Sequence, residues 1–259
     1  MFERTDVLID IFFNDLPMEK RVEAVAALGY KAIETWQGGT AAVVKKIGAA
    51  CDGAGVRFVS VVLNFATDMA VAPVKNGNLK AFADRIDQYS DYALAAGCRS
   101  GIITTGNLVP GQSLEEHRKN LVECLRHVGP LAAKKGFALN VEPLNTVVDH
   151  KGYYLDCRQT ALEIIDEVNL PNVKMLYDIY HMQIMHGNQL AFILPNLGAI
   201  GHFHTAGVPG RHELFSGETD YPFVLGKIVE AGYKGFFGLE YMPLLESSES
   251  LRKTKELLK

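Results

Sequence analysis

The chain alternates strand-like and helix-like segments from end to end, and that rhythm constrains the fold more than any other property. Apolar strand-like runs fall at residues 7–13, 32–36, 56–63 and 100–104, and again at 137–142, 173–178, 201–204 and 235–240. Helical periodicity fills the intervals, over about residues 17–28, 41–54 and 79–96. Further helices open at Ser113-Leu-Glu-Glu116 and near Asp156, and a helical tail covers 246–258. Pro17 suits a first helical turn and Gly29 a helix stop. Ser113 with Glu116, and Asp156 with Gln159, have the spacing of a capping box. Strict βα alternation requires parallel strands, and eight units imply closure into a (β/α)8 TIM barrel. An open doubly wound sheet is the competing architecture, but the chain lacks the glycine fingerprint of its phosphate-binding turn. No Pro/Ser/Gly linker divides the sequence, so residues 1–259 read as one barrel domain.

The bulk properties remove several function classes. A net charge of −4, with no Lys/Arg cluster, gives no reason to expect a nucleic-acid partner. No apolar run approaches the roughly 18 residues of a membrane span, and the N-terminus lacks a signal-peptide layout. Cys51, Cys98, Cys124 and Cys157 are scattered without a CxxC pair, which fits reduced thiols in a cytoplasmic protein.

Glu142, Asp178, His204 and Glu240 each end one of the last four strand-like runs. In a parallel barrel those ends lie at the carboxyl-terminal mouth, where active sites are built, and adjacent strands are about 5 Å apart. Three carboxylates and one imidazole at consecutive strand ends therefore form a candidate site for one divalent metal ion. Oxygen-rich ligation favours Mn2+ or Mg2+, with Co2+ or Zn2+ as alternatives. Strand alternation turns His202 inward beneath His204 and Phe203 outward. Three carboxylates against a 2+ ion leave an excess negative charge, and Arg211, in the glycine-rich segment after the seventh strand, is placed to offset it and to grip a substrate oxygen. His181 follows Asp178 by three residues and is positioned to hydrogen-bond substrate. Trp36 and Asn107, after the second and fourth strands, are candidate pocket walls.

With these motifs the chain resembles the hydroxypyruvate isomerase family of the xylose-isomerase-like barrels. The matching stretches are Val141-Glu-Pro-Leu-Asn145, Tyr177-Asp-Ile-Tyr-His-Met-Gln183, Arg211-His-Glu with Gly217-Glu-Thr-Asp-Tyr221, and Gly238-Leu-Glu-Tyr241. The resemblance implies a metal-dependent isomerase of a small carbonyl sugar or sugar acid, working through an enediolate. The leading reaction is hydroxypyruvate to tartronate semialdehyde. It implies that Glu142 and Glu240 are the acid/base pair as well as metal ligands, that Arg211 and His181 bind substrate, and that the protein is a homodimer or homotetramer. His204 stands where hydroxypyruvate isomerases tend to have glutamine and ketose 3-epimerases of the tagatose/psicose type have histidine. Val148 stands where those epimerases place a further glutamate. Ketose 3-epimerisation thus remains an alternative, as does dehydration of inosose or dehydroshikimate type. A non-catalytic sugar-binding barrel is the alternative of a different class.

Overall fold

The protein, described here from a computed structural model over residues 2–259, closes eight strands into a barrel in sequence order. The strands are β1 (Thr5–Leu8), β2 (Ala32–Thr35), β3 (Arg57–Asn64), β4 (Ser100–Ile103), β5 (Ala138–Val141), β6 (Val173–Asp178), β7 (Ile200–Thr205) and β8 (Phe237–Leu239). Every neighbouring pair is parallel, and β8 returns to β1 through Thr5↔Phe237 and Val7↔Leu239. Parallel strands need crossovers on their outer face. These are supplied by α1 (Met18–Ala27), α2 (Ala41–Ala54), α3 (Leu79–Ala95), α4 (Leu114–Lys134), α5 (Arg158–Val168), the pair α6 (Ile179–Met185) and α7 (Gln189–Ile193), and α8 (Tyr221–Glu230). The tail α9 (Ser247–Leu257) packs back on the first unit, where Lys255 bonds the carbonyl of Leu28. No helix among the described residues is long and apolar enough to cross a membrane, and the four cysteines are unbridged thiols.

Two local expectations change. The first strand is shorter than the apolar run at 7–13. The chain leaves the sheet after Leu8, and Arg21 caps the following loop through the carbonyls of Ile9, Asp10 and Leu16. Ile9, Ile11 and Phe12 stay buried, so the apolar run reflects a loop folded onto the core rather than a longer strand. The capping box expected at Asp156 does not form, because the Asp156 carboxylate is taken by Thr146; α5 opens one residue later from Cys157 with no side-chain cap. The Ser113–Glu116 box forms in full.

Side chains fill the molecule in two apolar layers. The larger lies between strands and helices and includes Tyr177, Phe203, Tyr233 and Phe237, whose rings pack edge-on or tilted. Inside the barrel, Val62, Ile102 and Leu176 form a separate apolar cluster beside Trp36. Across from it, the interior positions of β1, β2 and β7 hold Asp6, Glu34, His202 and His204, all at most 2 % exposed. One side of the barrel interior is therefore greasy and the other ionisable. That division positions the site.

Candidate metal centre and active site

Register brings the four strand-end residues to one level. Asp178 ends β6 opposite His204 on β7, and His204 lies opposite Gly238, two residues before Glu240. Glu142 follows β5 directly. One ligand-type atom from each of Glu142, Asp178, His204 and Glu240 lies within 4.8 Å of all the others, and all four residues are buried. His204 Nδ1 is 3.0 Å from Glu240 Oε2 and 3.7 Å from Glu142 Oε1.

Local hydrogen bonding divides the work of each group. Asp178 caps α6, with Oδ1 accepting from the amides of Tyr180 (2.7 Å) and His181 (3.4 Å), while Oδ2 has no hydrogen-bond partner among the described residues. His204 Nδ1 and His181 Nε2 also lack one. These atoms come from three residues that converge on the same spot: His181 Nε2 lies 3.4 Å from Asp178 Oδ2. Buried polar atoms without partners are costly unless something else satisfies them, so the donor set fits a bound cation with a substrate oxygen beside it.

The neutral form of His181 can be assigned from its neighbours. Asn145 accepts two backbone N–H groups on Oδ1, from Val148 and Asp149, which fixes its amide so that Nδ2 faces His181 Nδ1 at 2.6 Å. His181 Nδ1 is then the acceptor and Nε2 carries the proton toward the cavity. Burial, reinforced by Arg211, holds this histidine well below its usual pKa, which keeps it neutral.

Glu240 is held from two sides. Trp36 Nε1 donates to Oε1 at 3.0 Å and Arg211 donates to Oε2 at 2.6 Å. Burial opposes its charge, but Arg211 and His204 outweigh burial and keep the carboxyl well below the ordinary range. Asp178 behaves oppositely: burial, with repulsion from Glu240 and Glu142, pushes it up to about 7 despite Arg211. Arg211 adopts φ +58°, follows Gly210 at φ +92°, and lies over the Tyr180 ring at 5.3 Å. The loop thus spends a left-handed residue to aim a guanidinium at the carboxylates.

Trp36 is both a wall and a hydrogen-bond donor of the cavity, about 280 Å³ in volume, at the carboxyl-terminal mouth. Asn107 is not among its lining residues. It is half-buried, pairs in a bridge with Tyr153 and donates its amide N–H to Met69 Sδ. The loop after β4 turns away because Tyr153, rooted on the Glu142 carbonyl, holds the adjacent Thr105 amide. Phe65, Leu144 and His150 line the cavity although their sequence contexts did not mark them. A larger hollow, about 910 Å³, opens at the amino-terminal mouth among Arg57, Arg99, Lys174 and Lys234. It contains none of the converging carboxylates, so the smaller cavity is the candidate active site.

Beneath the four residues lies a layer in which His202 sits as strand alternation predicts, while its partners Glu34 and Asp6 carry no mark in the sequence pattern. Glu34, inside β2, lies 3.0 and 3.1 Å from His204 Nε2 through its two oxygens, and Oε2 is 3.2 Å from His202 Nε2. Burial raises the Glu34 carboxyl, yet the two imidazoles outweigh it and bring the group down to about 2, so it is ionised. Asp6, on β1, lies 3.8 Å from His202, and burial plus Glu34 push it up to about 7. Only the phase of β2 in the closed barrel distinguishes Glu34 from a surface glutamate.

A closed parallel barrel with a carboxylate–histidine cluster at its carboxyl-terminal mouth defines the class: a TIM-barrel enzyme whose clustered groups could hold a metal ion. The chain belongs to the xylose isomerase-like TIM barrel family, whose profile matches residues 22–257. It is 34 % identical over 176 residues to the hydroxypyruvate isomerase of Escherichia coli, covering 68 % of each chain. It is 30 % identical over 252 residues to the 2-oxo-tetronate isomerase of Haemophilus influenzae, covering 94 % of this chain and 95 % of the relative. Among solved structures, an AP endonuclease family 2 protein from Brucella melitensis superposes with a TM-score of 0.87 at 29 % identity, covering 96 % of each chain. The protein is an isomerase.

Proposed function

We propose that this isomerase interconverts small 2-oxo acids that carry a hydroxyl on the next carbon with their 3-oxo isomers, as in hydroxypyruvate to tartronate semialdehyde. The observation that carries this reading is Arg211, a cation buried beside Glu240 and Asp178 at the rim of a small cavity. A guanidinium there suits a substrate carboxylate. The names of the two enzyme relatives support the same substrate class.

Glu142, Asp178, His204 and Glu240 would hold one divalent ion, with Mn2+ or Mg2+ suiting the oxygen-rich donors. When bound, such an ion supplies Lewis-acid polarisation of a carbonyl. The chain's own residues do the rest. Arg211 binds the carboxylate, and His181 donates its Nε2–H to a substrate oxygen. One of the pair Glu142 and Glu240 takes the proton from C3 as the electron pair moves into the C2–C3 bond. The proton of the C3 hydroxyl passes to the C2 oxygen, and a proton delivered to C2 by a glutamate completes the isomer. Trp36, by donating to Glu240 Oε1, helps fix the position of that carboxylate at the cavity. Replacement of a proton on the same carbon from the opposite face would give an epimer, so the alternative of ketose 3-epimerisation differs only in where the second glutamate delivers.

Two outcomes test this reading. Arg211→Met raises KM for hydroxypyruvate at least about tenfold, the loss of one charge-assisted contact, while any turnover of an uncharged ketose changes less; equal effects on both substrates contradict the assignment. Chelator-treated protein gains thermal stability on adding Mn2+, because the ligands are preassembled only in the folded state. Saturation at about 100-fold over Kd corresponds to roughly 2.7 kcal/mol. A melting temperature indifferent to Mn2+, Mg2+ and Co2+ contradicts the metal assignment.

A further inference from the structure

We infer that Glu34 is a positioning residue for the metal centre: by accepting the Nε2–H of His204 it commits the Nδ1 lone pair of that imidazole to the ion. The inference rests on the metal reading of the four strand-end residues and concerns a residue outside that set.

The geometry leaves His204 little choice. Its Nε2 lies at hydrogen-bond distance, 3.1 Å, from Glu34 Oε2, while Nδ1 faces the ligand cluster, so an imidazole that ligates through Nδ1 carries its one proton on Nε2, directed at Glu34. Its Nδ1 faces Glu240 and Glu142 without satisfying the geometry of a hydrogen bond. An imidazole free to rotate or change tautomer would present Nδ1–H to the ligand cluster for part of the time, and that form cannot ligate. Holding the remote N–H on a carboxylate removes the wrong tautomer and fixes the ring plane.

Three further features show that the barrel is built around this pair. Glu34 is itself pinned, because His202 donates to the same Oε2 from two residues earlier on β7. The pair is 1 % exposed on both sides, so water cannot substitute for the carboxylate. Gly238 on β8 clears the space. A Cβ there would collide with Glu34 Oε1 and lie 2.7 Å from His204 Cδ2.

The test reads metal binding and the imidazole proton, not turnover. In the wild-type protein loaded with Co2+, one solvent-exchangeable, paramagnetically shifted N–H resonance from His204 persists in H2O because Glu34 shields it. Glu34→Ala weakens Mn2+ binding by about 10- to 100-fold and loses or broadens that resonance. Glu34→Gln keeps an acceptor oxygen but not the charge, so it retains the resonance and binds Mn2+ with intermediate affinity. If Glu34→Ala fails to melt cooperatively, Glu34→Gln carries the comparison. Wild-type affinity with an unchanged N–H signal in Glu34→Ala overturns the inference, as does loss of the resonance in Glu34→Gln at wild-type affinity. A wild-type protein that takes up neither Mn2+ nor Co2+ overturns the metal reading itself, which is a different result.

Discussion

Glu240→Gln lowers kcat for hydroxypyruvate by about 10²- to 10⁴-fold, the span that one general acid/base contributes. The substitution keeps the shape of the side chain. An amide oxygen can still accept from Trp36 Nε1, which lies 3.0 Å away. It cannot hold the negative charge that Arg211 and His204 stabilise, nor take a carbon-bound proton. The loss should therefore appear in kcat more than in KM. Far-UV circular dichroism checks that the barrel persists. Turnover within a few-fold of wild type would remove Glu240 from the chemistry and leave Glu142 to act alone. The buried Arg211 loses an ionic partner in this variant, so some fall in melting temperature accompanies the loss of rate without explaining it.

Gly238→Ala is expected to lower stability substantially at a position outside the ligand set. Register sets Gly238 opposite His204, and the added methyl would meet Glu34 Oε1, His204 Cδ2 and, at 3.2 Å, His204 Nε2. None of these can retreat cheaply, because Glu34 and His204 are each held by the other and are fully buried. Overpacking of this kind costs about 1–3 kcal/mol, and disturbing a buried ionic contact adds to it. For a chain of this length, the melting temperature falls by roughly 2–4 °C per kcal/mol. Thermal unfolding of metal-free protein measures it. An unchanged melting temperature would mean that the Glu34–His204 contact is looser than its distances imply. Alanine at Gly53, which meets nothing within 4 Å, is the matched control.

The parts of this molecule that were legible in the sequence share one property: they combine a period with a position. Strand–helix alternation points to the barrel, and Glu142, Asp178, His204 and Glu240 stand out because each ends a strand-like run about one strand–helix repeat from the next. His202 followed from alternation once His204 was placed. The parts that were hidden depend on closure. Ala32-Ile-Glu-Thr35 reads like any short strand, and only the closed barrel turns Glu34 toward β7 rather than toward a helix. Asp6 sits near the chain start in a strand whose phase the longer apolar run obscured. Loops carry the weakest sequence signal. Trp36 could be placed at the mouth because it follows its strand directly, whereas Asn107 is separated from β4 by a segment that Tyr153 redirects. The part played by Asn145 in setting the His181 tautomer depends on a turn in which its own side chain accepts two backbone amides.

On the proposed function, this cluster removes and returns a proton beside a carbonyl. The most direct measurement is proton NMR in D2O, with chelator-treated and Mn2+-reloaded protein, on hydroxypyruvate, a 2-oxo-tetronate, free ketoses and inososes. Reloaded protein should incorporate solvent deuterium at the carbon beside the carbonyl of a 2-oxo acid and form its 3-oxo isomer, while chelated protein and Glu240→Gln do neither. Exchange confined to C3 of a ketose would assign the epimerase reaction instead. No deuterium in any substrate, from protein that demonstrably binds Mn2+, would contradict enolisation at this site.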